Sequence, residues 1–242
     1  MALMSLDGLT VAGRLHDASL QIHEGEVLGL IGPNGAGKST LLHAITGLVP
    51  SSGRVSLDGR DLEQIDSLQR ARRIALQPQF IDSVWALSVH DVVSMGRLPW
   101  GDSDQSIIRE AMQQANVAAF ADRHVNELSG GERARVWLAR VLANQPAVLL
   151  ADEPVANLDI HYQQEVMQLL RDYARAGHAV LIAIHDLSLA ARYCDRLCLM
   201  DEGSIVKADR IGAVLTSETL SPVFKVAVYV DLDNQPPVVL AR

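Results

Sequence analysis

The sequence predicts an α/β fold: a mostly parallel sheet flanked by helices, with an antiparallel β region at the N-terminus and an inserted helical subdomain. Three observations carry that expectation. Short apolar runs alternate with amphipathic segments, as when parallel strands are joined by crossover helices that cover the sheet. The strand signal then disappears between residues 88 and 143. Finally, 242 residues, 48% of them apolar and 21% charged, are enough to build one core without disulfides or a structural metal. The chain, 1–242, therefore reads as a single domain, with 88–143 a helical subdomain within it.

The elements follow in order. Leu6 to Val27 alternates weakly, as a small antiparallel sheet would. Glu26 to Ile31, Arg73 to Gln77, Ala147 to Ala151, His178 to Ile184 and Arg196 to Met200 are compact apolar runs, too short for stable helices, and read as strands. In the helical insertion, Ile107, Ile108, Ala111, Met112 and Ala115 mark one helical face, and Arg133 to Leu142 forms another helix. His161 to Arg175 places Val166, Leu169, Leu170 and Tyr173 on one stripe suited to packing on a sheet. Asp201-Glu202-Gly203 reads as a hairpin turn, and Val226, Val228 and Val230 alternate with period two near the end. No repeat or low-complexity tract is visible.

Composition excludes several classes. Lys plus Arg number 21 against 29 Asp plus Glu, a net charge of −8, which argues against nucleic acid as a partner, because that affinity comes from clustered cations. The apolar runs stop far short of the ~20 residues a membrane-spanning helix needs. Met1 to Asp7 lacks the basic start and apolar stretch of a secretory signal, which places the chain in the cytosol. Cys194 and Cys198 have no second pair or His partner nearby and read as buried, reduced thiols.

Chemistry concentrates in three segments. Gly32-Pro33-Asn34-Gly35-Ala36-Gly37-Lys38-Ser39-Thr40 fits G-x-x-x-x-G-K-S/T between a predicted strand and a helix, the P-loop pattern. There the glycines let backbone N–H groups turn inward on phosphates, Lys38 reaches the terminal phosphates and Ser39 offers a hydroxyl to Mg²⁺. Val148 to Ala151 is an apolar strand that ends in Asp152, placed to hold Mg²⁺ through water, and Glu153, placed to polarise an attacking water. These two segments define a nucleoside triphosphatase or a phosphotransferase. Leu128-Ser129-Gly130-Gly131-Glu132 then opens a second helix with glycines, a second anion-binding N-terminus in one chain.

With all three in place, the sequence resembles the ATP-binding cassette (ABC) family over nearly its whole length. The family's LSGGQ signature stands here as LSGGE. The resemblance implies a P-loop ATPase using ATP and Mg²⁺, with catalytic roles for Glu153, His185 and Gln79. ATP contacts are implied from Asn34, Gly35, Ala36, Gly37, Lys38, Ser39, Thr40, Ser129, Gly130, Gly131 and Asp159, and Mg²⁺ contacts from Ser39, Gln79 and Asp152. Gln79 resembles the glutamine that relays nucleotide state to the helical subdomain, with Gln77 the competing candidate. His185 is similar to the family's switch histidine, and Asn157-Leu158-Asp159 to its D-loop. The other seven histidines, His43 and His161 among them, read as surface or packing residues. In this family Lys38 and Ser129 of one chain do not share an ATP, so the functional unit implied is a head-to-tail dimer of two copies. The chain departs from the family at the base: no aromatic residue of the Phe, Tyr or Trp kind lies between Leu9 and Val27, and the loop Thr10 to Gly13 is shortened, with Arg14 beside it.

A cassette without a fused membrane domain implies separate integral membrane permease subunits and, indirectly, an extracytoplasmic substrate-binding protein. It would sit as a peripheral subunit on the cytoplasmic face of the cell membrane. Val89 to Trp100 and the LSGGERARVWLAR and HDLSLAARYCDRL stretches resemble the importer branch for iron-siderophore, haem and cobalamin complexes. Phe80 to Trp100, with Trp85, resembles the family's permease-docking segment. The alternatives are an exporter or an importer of another solute, a soluble P-loop phosphotransferase, and a non-transport ABC protein acting on chromosomes or ribosomes.

Overall fold

A computed structural model describes residues 2–79, 87–156 and 158–241. The chain opens with β1 (Ala2–Val11) and β2 (Leu15–His23), then β3 (Val27–Ile31), α1 (Lys38–Thr46), β4 (Ser52–Leu57), β5 (Arg60–Asp61), α2 (Ser67–Arg73) and β6 (Ile74–Gln77). The middle holds α3 (Val89–Ser94), α4 (Gln105–Gln114) and α5 (Gly130–Ala143), followed by β7 (Val148–Asp152), α6 (Ile160–Arg175), β8 (Ala179–Ala183) and α7 (Leu187–Tyr193). The end comprises β9 (Arg196–Asp201), β10 (Ser204–Arg210), α8 (Ile211–Val214), α9 (Ser217–Phe224), β11 (Val228–Asp231) and β12 (Val238–Ala241).

The central sheet runs β10-β9-β3-β8-β7-β6, parallel from β9 through β6, with β10 antiparallel at one edge. A second sheet, β2-β1-β4-β5, is antiparallel throughout. Because side chains alternate across a strand, the central strands feed two cores. Leu28, Leu30, Leu150, Leu181, Cys198 and Met200 face the antiparallel sheet and α1, while Val27, Ile31, Leu149, Val180, Ile182, Leu197 and Leu199 face α5, α6 and α7. Burial on both faces explains why these strands read as continuous apolar runs.

Each of the five compact apolar runs is a strand within one residue of its expected ends, while the antiparallel region expected over Leu6 to Val27 begins earlier, at Ala2, ends at His23 and draws in β4 and β5. The stripe on α6 is rotated slightly: Val166, Met167, Leu170 and Ala174 are buried, and Leu169 and Tyr173 only partly so. The hairpin at Asp201-Glu202-Gly203 joins β9 to β10 with positive φ at Glu202 (44°) and Gly203 (79°). Among the described residues, 88–143 contain helices and short helical turns but no strand, only an isolated bridge between Ser88 and His124. Both cysteines are free and buried, and burial pushes each thiol up to about 12. No described helix is long and apolar enough to cross a membrane.

Candidate nucleotide site

The phosphate loop leaves β3 under steric constraint. Gly32 has φ 146°, and a Cβ there would lie 2.2 Å from the Met200 carbonyl oxygen of β9. Only glycine lets the chain pass so close. Gly37 then N-caps α1 with no capping side chain, so no side chain competes for the N–H groups of the first turn. Lys38, 5% exposed, donates from Nζ to the carbonyls of Gly32 (2.8 Å) and Pro33 (3.0 Å). Burial lowers its pKa, opposed by the nearby Glu153 and Asp152. Gly35, Ala36, Gly37, Lys38, Ser39 and Thr40 line a cleft of about 530 Å³, with Asn34 exposed at the loop's tip.

Strand β7, buried throughout, carries Asp152 to the floor beside α1. Asp152 is 3% exposed, and desolvation raises its pKa, opposed by a hydrogen bond from Ser39. Its Oδ1 is buried without a hydrogen-bond partner, an expensive state that a cation would relieve. A hydroxyl and a carboxylate are hard oxygen donors suited to Mg²⁺, which is commonly held by one or two carboxylates together with substrate phosphates. The residues present therefore fit that ion.

Glu153 follows with φ 50°, a left-handed conformation that costs a non-glycine residue about 1 to 2 kcal/mol. That turn aims its carboxylate along the strand ends. Gln79 Nε2 donates to Oε2 at 2.6 Å, and His185, just beyond β8, hydrogen-bonds Oε1 through Nε2. Three sequence-predicted residues from three different strand ends thus meet on one carboxylate. Gln77, the competing glutamine, is buried at the end of β6 with Oε1 unpartnered.

Ser129, Gly130, Gly131 and Asp159 do not line that cleft. Ser129 caps α5 in a reciprocal box: its hydroxyl accepts from the Glu132 N–H at 3.3 Å, and Glu132 Oε2 accepts from the Ser129 N–H and hydroxyl, both at 2.8 Å. These hydrogen bonds hold the Glu132 carboxyl below its ordinary range. Asp159 caps α6 by accepting from the Tyr162 N–H. Gly131 lies against Leu158 and Tyr162, so the start of α5 and the start of α6 are neighbours, next to Ile160, which is 75% exposed. Asn157 lies outside the described residues.

Two residues of the site are not marked as part of it by sequence reasoning. His43 is close enough for its charge to act on Asp152; it sits on α1 four residues beyond Ser39, a spacing that puts both on one helix face. His16 lines the rim of the cleft together with Arg14. Its signal is its place beside the shortened first loop, a stretch in which a search for Phe, Tyr or Trp passes over an imidazole.

A phosphate cradle on a strand–loop–helix, paired with acids at the end of a nearby parallel strand, defines a P-loop nucleoside triphosphatase. The profile of the family described as ABC transporter matches residues 15–156, and the chain belongs to that family: it is an ATP-binding ABC ATPase. It is 45% identical to the hemin import ATP-binding protein HmuV of Rhodococcus jostii, over 90% of this chain and 78% of that one. It is 44% identical to the cobalamin import ATP-binding protein BtuD of Halobacterium salinarum, over 90% of this chain and 57% of that one. Among solved structures, an inward-facing metal-chelate type ABC transporter superposes with a TM-score of 0.84 at 26% identity, covering 96% of this chain and 92% of that one. The CbiO1 protein of Clostridium perfringens, part of the CbiONQ transporter complex, gives 0.78 at 27% identity, covering 91% and 93%.

Proposed function

We propose that this chain is the ATP-hydrolysing subunit of an importer for an iron-siderophore, haem or cobalamin-type complex. Two copies work head to tail beneath separate permease subunits on the cytoplasmic face of the membrane, and an extracytoplasmic binding protein delivers the solute. The convergence of Gln79 and His185 on Glu153 beside the phosphate loop supports the chemical step. Backbone N–H groups of Gly35 to Thr40 and the Lys38 ammonium would bind the β- and γ-phosphates. Ser39 and Asp152, with Gln79, would hold Mg²⁺, whose charge screens the phosphate oxygens. Glu153 exchanges its contacts with Gln79 and His185 for the attacking water and accepts its proton. His185 turns to the γ-phosphate. Ser129, Gly130, Gly131 and Asp159 of the second copy would close the site from outside, because within one chain they lie off the cleft.

The permease surface is proposed to include the segment that follows Gln79. Its first part, residues 80–86 with Trp85 among them, lies outside the described residues. In the described part, Leu98 is 73% exposed, and Trp100 is flanked by the guanidinium groups of Arg72 and Arg97 at 5.1 and 5.0 Å. Leu98 and Trp100 would offer an apolar tip backed by arginines to a docked helix.

The test is reconstitution with the permease that co-purifies with this chain. ATP-dependent uptake of hemin, cobalamin or a ferric siderophore supports the reading. Export, or uptake only of an unrelated solute, replaces it with one of the alternatives.

A further inference from the structure

We infer that Tyr162 is a positioning residue that locks the start of α5 to the start of α6, so that Ser129 and Asp159 reach the second copy's ATP as one unit. The inference rests on the proposed sharing of the site between two copies and adds what holds the two contributed groups in register. Their helices belong to different parts of the fold: α5 closes the helical insertion, and α6 follows β7 of the central sheet. Ser129 and Asp159 are both exposed, and each caps only its own helix. Neither cap reaches the other helix, so their relative position has to come from another side chain.

Tyr162 is placed to supply it. Its N–H donates to Asp159 Oδ1 at 3.0 Å, which ties the residue to the cap of α6. Its ring crosses to α5. A Cβ on Gly131 would stand 3.6 Å from Tyr162 Cδ2, an ordinary contact distance, and the guanidinium carbon of Arg135 lies 4.4 Å from the ring centroid. Gly131 and Arg135 are four residues apart and share one helix face, so the ring rests along that face. Arg135 is 4% exposed and is itself held: Nη1 donates to the Asn116 carbonyl at 3.0 Å, in the turn after α4, and Nε is buried without a hydrogen-bond partner. A guanidinium removed from water gains most from an aromatic face. The ring therefore meets a cation fixed to the helical insertion while its own backbone is fixed to the start of α6. An aliphatic side chain could fill the same space but would offer Arg135 no such face.

The test follows ATP-dependent pairing of the full chain by sedimentation with Mg²⁺, in the Glu153→Gln background so that bound ATP persists. ATP affinity of the single chain and fold stability in denaturant are measured beside it. Tyr162→Leu keeps apolar bulk and removes the aromatic face. Pairing should weaken about tenfold, while ATP affinity and stability stay near those of the unaltered chain. Tyr162→Phe keeps the face and should pair as the unaltered chain does. The link itself is read by a double-mutant cycle of Ser129→Ala and Asp159→Asn, the latter keeping a capping side chain on α6. The two should be non-additive in pairing strength when Tyr162 is present and additive when it is leucine. Ser129→Arg separates this inference from the shared-site reading: pairing that survives it ends both, whereas pairing lost there but unchanged in Tyr162→Leu overturns the inference alone. Additivity with Tyr162 in place, non-additivity that persists with leucine, a phenylalanine variant no better than leucine, or a pairing loss that merely follows a loss of stability would also overturn it.

Discussion

The two glycine-flanked helix starts differ in how their N–H groups are satisfied. Helix α1 is capped by Gly37, which has no side chain, and no protein side chain caps its first turn. Helix α5 is capped by Ser129, and the Glu132 carboxylate closes back on the Ser129 N–H and hydroxyl. An uncapped helix start carries positive potential ready for phosphate. A capped one already has a carboxylate beside it, held by the N-cap residue. The first is pre-organised within one chain; the second has its Ser129 N–H and hydroxyl engaged by Glu132. This asymmetry accords with the proposed sharing of the site between two copies, in which a single chain holds ATP at one end only.

The comparison can be broken most severely at the chemistry the open site serves. Glu153→Gln keeps the side chain's shape and removes its charge, so ATPase turnover should fall by about 10² or more, the cost of losing a general base, while ATP binding persists. Turnover is read by phosphate release from a pure sample, and undiminished activity would remove Glu153 from the chemical step. Lys38→Ala strikes the open start itself. With charge-assisted hydrogen bonds to the phosphates lost, ATP affinity should drop about 100-fold, measured by titration of the full chain, and a loss confined to turnover would contradict the role given to Lys38.

Smaller effects should come from the capped start. Glu132→Gln retains the hydrogen-bonding capacity of the box without the negative charge. Stability should fall by only about 0.5 kcal/mol through the weaker helix-end interaction, as read by denaturant titration. With the resident charge gone, ATP-dependent pairing of two chains should strengthen; weakened pairing would mean that Glu132 helps the partner's ATP rather than blocking it.

Most of the site was legible because its residues are consecutive or tied to strand ends. The phosphate loop, Asp152, Glu153 and His185 each follow an apolar run that could only be a buried strand, and the sheet brings those ends together. Gln79 was separable from Gln77 only by resemblance, since both lie at the end of β6; the structure shows that their side chains differ, one meeting Glu153 and the other buried. Strand β4 was not legible. Ser52 to Leu57 has few apolar residues and is a strand because β1 supplies its hydrogen bonds, a tertiary effect that propensity does not record. The capping of α5 by Glu132 was also hidden: Ser-x-x-Glu is a capping box by spacing, but here it overlapped a motif already assigned to phosphate.

The most direct test of the asymmetry places Ser129→Arg in the Glu153→Gln background and follows both ATP affinity and association state by sedimentation with ATP and Mg²⁺. The account predicts that Glu153→Gln alone forms a dimer in ATP. Adding Ser129→Arg should abolish that dimer while each chain still binds ATP with unchanged affinity. A double variant that still dimerises, or one whose single chains bind ATP more weakly, would contradict the division between an open start that serves its own chain and a capped start that serves its neighbour.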